Sequence, residues 1–170
     1  LKIAFLGGVG EIGKNMTAVE YGDNIFIIDC GSMFPTNETP GIDLVIPDFN
    51  YIVKNKDKVR AILLTHGHED HIGGMPYLLK ELPDVKVYGS KLTLALLQHK
   101  LNEAKITMPK CICVDGGSVE KIGVFSVEFI KQSHSISGAF ALAISTRIGV
   151  IFHTGDFIIY YTPIDSERAD

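Results

Sequence analysis

The residues of this chain best equipped for chemistry are crowded into one heptapeptide, Thr65-His66-Gly67-His68-Glu69-Asp70-His71. Imidazoles set this close repel one another once protonated and need polar partners once buried, so they make poor packing material. A divalent cation removes both difficulties, because neutral imidazole nitrogen and carboxylate oxygen are the ligands that zinc takes. The His-x-His-x-Asp-His spacing therefore predicts a metal site built on His66, His68, Asp70 and His71. This spacing is far more specific than a lone histidine pair.

One such cluster cannot close two metal sites, so further ligands are expected at other strand ends. His134 follows a strand read over 124–131, and Asp156 follows one read over 150–153, in His153-Thr154-Gly155-Asp156-Phe157. Taken singly, either residue is also an ordinary turn residue. Asp29 ends a third apolar run, Ile25-Phe26-Ile27-Ile28, and is expected to orient a ligand histidine by a hydrogen bond. Ser133 and Ser135 flank His134 and are most simply loop hydroxyls.

These residues need a scaffold, and the pattern reads as an α/β layered domain that is largely β at its start and finish. Lys2–Leu6 reads as a strand, and Met16–Tyr21 and Asn24–Asp29 as a hairpin around Gly22-Asp23. Ser32–Asn50 holds three prolines and reads as a long loop. Val59–Thr65 is a buried strand leading into the histidine cluster. Gly73–Leu82 has helical spacing, Val85–Tyr88 is a short strand, and Ser90 caps a helix running to about Ala104. Strands follow at Cys111–Val114, Val124–Lys131, Ala139–Ser145 and Val150–His153.

Gly8-Val9-Gly10-Glu11-Ile12-Gly13 matches the dinucleotide fingerprint G-x-G-x-x-G, with Asp29 about twenty residues on. That mechanism needs a helix to begin in the glycines. Here Met16-Thr17-Ala18-Val19-Glu20-Tyr21 follows, which returns as a strand and is cut short by Gly22. The glycines are therefore read as a tight turn with positive φ values, and in a functional variant of that reading the turn lies beside the metal site.

Composition bounds the rest. The 170 residues make one domain or part of one, and 46% are hydrophobic, enough for a core. No apolar run approaches the ~18 residues of a membrane helix. A net charge of −4 without a Lys/Arg run argues against broad non-specific nucleic-acid binding by these residues alone, although metal cations supply positive charge locally. Three cysteines cannot all pair, and a reducing cytoplasm is expected. Cys111 and Cys113 alternate along a strand, with no second cysteine pair to complete a zinc site. The start at Leu1 leads us to expect a natural beginning further upstream.

The arrangement Asp29, His66-x-His68-x-Asp70-His71, His134, Thr154-Gly155-Asp156 resembles the metallo-β-lactamase superfamily. Within it the chain is similar to the bacterial ribonuclease J family, through Gly7–Met16, Asp29-Cys30-Gly31, Gly41–Asp48, Leu64–Gly74 and His153–Phe157. The resemblance implies an αββα sandwich, of which residues 1–170 would be an N-terminal portion, with a β-CASP domain and the remainder absent. It implies two divalent ions: zinc is expected from the histidine-rich ligation, with manganese or magnesium as the other options. His66, His68 and His134 would hold one metal, and Asp70 and His71 the other, with Asp156 bridging. Asp70 and Asp156 would also accept a proton from the attacking water. The implied activity is ribonuclease, with 5′-to-3′ exonucleolytic and endonucleolytic modes, acting on RNA bound mainly through the β-CASP domain in a cytoplasmic homo-oligomer. Ile158 and Tyr160 stand where that family often has a lysine and an acid, and His134–Gly138 lacks an acid common there. Two other readings share the metal site: a thioester or lactone hydrolase of the glyoxalase II type, and an RNA-associated module without complete catalytic machinery. The first leaves the glycine-rich opening and Gly41–Asp48 unexplained.

Overall fold

A computed structural model of the chain describes residues 1–35 and 40–159. Its strands are β1 (Lys2–Gly7), β2 (Met16–Tyr21), β3 (Asn24–Ile28), β4 (Val59–Leu63), β5 (Lys86–Gly89), β6 (Cys111–Cys113), β7 (Val119–Ile122), β8 (Phe125–Gln132), β9 (Ala139–Thr146) and β10 (Gly149–His153). The helices are α1 (Asn50–Lys54), α2 (Glu69–Ile72), α3 (Met75–Glu81) and α4 (Lys91–Glu103).

The strands form two sheets. In the first the order is β1-β2-β3-β4-β5-β6, antiparallel among β1–β3 and parallel from β3 to β6. In the second the order is β10-β9-β8-β7, antiparallel throughout. Strand alternation divides the first sheet's apolar residues between two cores. Ala18, Ile25, Ile27, Ile62, Leu64 and Val87 face Ile52 of α1, Met75, Leu78 and Leu79 of α3, and Leu94, Leu97 and Leu101 of α4. Val19, Phe26, Ile28, Ala61 and Leu63 face Phe125, Val127, Phe129, Phe140, Leu142 and Ile144 of the second sheet. The layers thus run helix, sheet, sheet. The fourth layer of the expected αββα sandwich is not among the described residues.

The glycine-rich segment joins two antiparallel strands with no helix between them, and Gly8, Gly10 and Gly13 have φ of +82°, +73° and +103°. The helix a pyrophosphate would need is therefore missing from this turn, which is the tight turn expected from the sequence. The helix read over 73–82 is α3, which starts at Met75, and the single turn α2 precedes it, separated from it by Gly73 and Gly74. A Cβ at Gly73 would meet Ser32 Oγ at 1.9 Å, and one at Gly74 would meet the Gly31 carbonyl at 2.6 Å. These glycines lie where the chain presses against the segment following β3. Ser90 caps α4 as expected, its hydroxyl accepting from the Thr93 N–H. Three elements go beyond the sequence reading: α1, five residues with only Ile52 buried, the single turn α2, and β7, an edge strand with only Ile122 buried.

Both sheets point one end at the same place. Asp29 follows β3 and residues 65–71 follow β4 in the first sheet, while the second sheet delivers His134 after β8 and Asp156 after β10. The Phe140 N–H at the start of β9 donates to the Thr65 carbonyl at 2.9 Å, tying the sheets together there.

Candidate metal centre

The histidine loop is held from behind by residues 29–32. Cys30 N–H donates to the His71 carbonyl (2.9 Å) and Ser32 N–H to the Glu69 carbonyl (3.1 Å). Only glycine fits between them: a Cβ on Gly31 would lie 1.5 Å from the Asp70 carbonyl oxygen. Glu69, which points away from the cluster, is gripped by Lys100 of α4 at 2.7 Å. The backbone of 69–71 is thereby fixed by residues 30–32, and the Glu69 side chain by α4.

Two groups of donors result. In one, His66 Nε2 lies 3.0 Å and His134 Nε2 lies 3.1 Å from His68 Nδ1. His68 Nδ1 can share a proton with only one of these neighbours, so protons alone cannot satisfy all three nitrogens. A tetrahedral cation with ligand nitrogens at about 2.0–2.1 Å places them roughly 3.3 Å apart, close to what is seen. In the other group His66, His71 and Asp156 converge. Asp156 Oδ1 and Asp70 Oδ2 lie 3.5 Å and 3.6 Å from His71 Nε2. Asp156 Oδ2 also comes within 3.9 Å of His134 Nε2, so this carboxylate stands between the two groups. The residues fit divalent cations in their chemistry and in their spacing. Every site residue expected from the sequence is brought into this cluster, with Asp29 behind it.

Asp29 and Thr65 orient two of the imidazoles. Asp29 is fully buried and accepts from Thr65 N–H (2.8 Å), from Thr65 Oγ1–H (2.7 Å) and from His71 Nδ1–H (2.8 Å). Thr65 Oγ1 in turn lies 3.0 Å from His66 Nδ1 and accepts its proton. This network places a proton on Nδ1 of both histidines and turns both Nε2 atoms toward the centre. His134 differs: its Nδ1 is buried with no hydrogen-bond partner.

Three neighbours of the site carry no signal that marks them in the sequence. Thr65 is the hydroxyl relay just described. Asn15 sends its amide onto Asp70 and toward His71. His153 lines a cavity of about 220 Å³ with Asn15, His71 and Asp156, and its Nδ1 accepts from Gly155 N–H at 3.1 Å. Of the two departures noted after Asp156, Ile158 donates its N–H to the Ser133 carbonyl at 2.7 Å, and Tyr160 lies outside the described residues.

The electrostatics of the metal-free cluster set a pH dependence. Burial, reinforced by positive His71, holds His66 down at about 3. Burial also opposes charge on His71, but Asp29 and Asp156 outweigh it and raise His71 to about 10. His66 is therefore neutral in the fold but charged when unfolded below its ordinary value of about 6.5, so stability falls as pH drops from there toward 3. His71 is charged in the fold, so its contribution is complete below about 6.5 and is lost as pH rises toward 10. The metal-free chain is expected to show its highest thermal midpoint near neutral pH. Saturating zinc should reverse the alkaline limb, because ligation needs His71 deprotonated. A midpoint in zinc that still falls between pH 7 and 9 would count against His71 as a ligand.

The comparisons with known proteins agree with this geometry. The family model of the metallo-beta-lactamase superfamily matches residues 9–168, and the chain belongs to that superfamily. Among solved structures, the metallo-beta-lactamase fold protein YhfI from Bacillus subtilis superposes with a TM-score of 0.64 at 19% identity, over 91% of this chain and 61% of that one. A protein of unknown function from Enterococcus faecalis V583 gives 0.66 at 22% identity, over 91% and 43%. More particularly, the whole chain is 45% identical to proteins named Ribonuclease J from Mycobacterium tuberculosis and Synechocystis, covering 30% and 27% of their lengths. It is 43% identical to Ribonuclease J from Helicobacter pylori, covering 25%. The chain thus spans less than a third of the length of these relatives.

Proposed function

We propose that this chain is the metal-holding part of a hydrolase that cleaves RNA phosphodiesters, a ribonuclease of the J type with 5′-to-3′ exonucleolytic and endonucleolytic modes. The observation that carries the metal reading is Asp156 standing between two groups of imidazole nitrogens with one oxygen toward each. The similarity of the whole chain to ribonucleases J supports the substrate.

The residues would work as follows. His66, His68 and His134 hold one cation, and Asp70 and His71 the second, with Asp156 shared. When bound, two divalent cations supply an acidified water and positive charge against the phosphate oxygens. Asp29 and Thr65 keep the His66 and His71 lone pairs aimed inward, so no reorganisation is needed during the reaction. Asp156 and Asp70 would flank such a water, and either carboxylate could accept the proton that it gives up. Zinc is the expected ion on the histidine-rich donor set. RNA would be held mainly by parts of the longer protein outside this chain, including a β-CASP domain, in a cytoplasmic homo-oligomer. Among the described residues no helix is long and apolar enough to cross a membrane.

The test is cleavage of 5′-monophosphorylated, end-labelled RNA by the protein at its natural length, beside a thioester substrate as the competing chemistry. Mononucleotide release that chelator abolishes and zinc or manganese restores is the expected outcome. Thioester hydrolysis with intact RNA would replace the ribonuclease reading by a glyoxalase II-type one.

A further inference from the structure

The glycine-rich turn is not used by any ligand reading, yet it ends on a residue that touches the metal motif three times. Asn15 Nδ2 donates to the Asp70 carbonyl (3.1 Å) and to Asp70 Oδ2 (3.2 Å), and lies 3.1 Å from His71 Nε2. Its backbone is pinned as well: Asn15 N–H donates to the Asp70 carbonyl at 3.0 Å, and Gly31 N–H donates to the Asn15 carbonyl at 2.9 Å. The carboxamide therefore cannot drift away from Asp70 and His71, the two side chains placed on the second cation. It makes no contact of this kind with His66, His68 or His134.

The glycines explain how the amide gets there. Lys14 adopts φ +53°, a left-handed conformation that turns the chain into Asn15. A Cβ on Gly7 would lie 2.1 Å from the Lys14 carbonyl oxygen, and one on Gly8 would lie 2.4 Å from Asn15 Oδ1. Positions 7 and 8 are thus bare because the Lys14–Asn15 unit lies across them. Gly10 has a similar positive φ, but a Cβ there would meet nothing within 4 Å.

We infer that Asn15 is a positioning residue for the second cation alone, and that the turn Gly7–Lys14 exists to press its amide onto Asp70 and His71. The amide N–H fixes which way the Asp70 carboxylate faces. It also lies 3.1 Å from His71 Nε2, a contact that a cation displaces, leaving the amide wholly to Asp70. Removing the amide frees Asp70 to rotate and loosens the second site without disturbing the three-histidine site. This inference rests on the two-cation reading above.

The experiment is cobalt(II) titration of the protein at its natural length, followed by calorimetry and by the visible d–d absorption of each step, with no substrate present. Wild type should fill two sites. Asn15→Ala and Asn15→Asp should weaken one step by about 10- to 100-fold, the range for partners that orient a metal ligand. The other step, and its absorption band, should be unchanged. Gly8→Ala should behave like Asn15→Ala, whereas Gly10→Ala, equally strained in φ but clear of the amide, should not. Parallel weakening of both steps, no weakening of either, or Gly10→Ala matching Gly8→Ala would each overturn the inference. A wild-type protein with only one site or none would overturn the two-cation reading itself, and the inference with it.

Discussion

Asp156→Ala is expected to reduce RNA hydrolysis by on the order of 10³-fold or more while leaving the fold in place. The two effects separate because of where Asp156 sits. It follows β10 at the rim of the second sheet, its side chain nearly half exposed, so it contributes little to the core. Ion pairs this exposed are worth roughly 0–1 kcal/mol. Its chemical position is different, with one oxygen 3.5 Å from His71 Nε2 and the other 3.9 Å from His134 Nε2. With two cations bound, the negative charge there would offset the repulsion between them. The contact with His71 keeps Asp156 ionised, down at about 2, so that charge is present at every working pH. Losing several kcal/mol of cation-supplied stabilisation corresponds to the expected rate loss. The checks are metal content per chain, single-turnover cleavage, and a thermal midpoint in chelator. His68→Ala should also lose metal, since His68 Nδ1 is the nitrogen that the other two histidines face. Full metal content in Asp156→Ala with activity within about tenfold of wild type would remove the bridging role.

Much of this site is legible in the sequence because its candidate ligands sit in segments that follow strands with a clear pattern. Ile25–Ile28 and Ala61–Leu64 are unbroken apolar runs, as expected of strands buried on both faces, and each leads straight into Asp29 or His66. The hairpin is readable from Gly22-Asp23, where Gly22 has φ +60°, and α4 from its Ser90 cap. Illegible elements lack a period or depend on distant partners. Helix α1 is too short for one, and β7 is an edge strand of four residues, half of them charged. The close approach of Gly73 and Gly74 to Ser32 and Gly31, some forty residues earlier in the chain, is encoded in no local pattern. Thr65 and Asn15 are hidden for a similar reason. A threonine at a strand end and an asparagine after glycines are common residues, and their roles exist only because Asp29, His66, Asp70 and His71 are folded against them. The glycine fingerprint shows the converse, a strong local motif whose meaning is set by the antiparallel return of β2.

Asp29→Asn is expected to destabilise the chain by about 3 kcal/mol and to weaken metal binding by at least 10-fold, although the two side chains have nearly the same shape. Backbone strain is not the cause: Asp29 has φ +59°, and asparagine tolerates the left-handed region as well as aspartate does. Charge and hydrogen-bond direction are the cause. Burial opposes ionisation of Asp29, but His71 and the Thr65 donors outweigh it and hold its pKa below the usual value. In the variant, one oxygen still accepts from Thr65 N–H. The other position becomes an NH₂ facing Thr65 Oγ1–H and His71 Nδ1–H, both of which are donors. Relief requires His71 to move its proton to Nε2, the atom that must face the cation, and Thr65 to turn its hydroxyl, which disturbs His66. A carboxylate-to-amide exchange that forces the wrong histidine tautomer costs about 10⁴ in rate in Ser-His-Asp enzymes, and the same logic operates here on metal affinity. Because Asp29 serves His71 directly and His66 through Thr65, both cations should bind more weakly, in contrast to the single-site defect expected for Asn15 variants. Denaturant unfolding with and without zinc measures both effects. Wild-type stability in chelator together with wild-type zinc affinity would show that Asp29 neither pairs with His71 nor sets its tautomer.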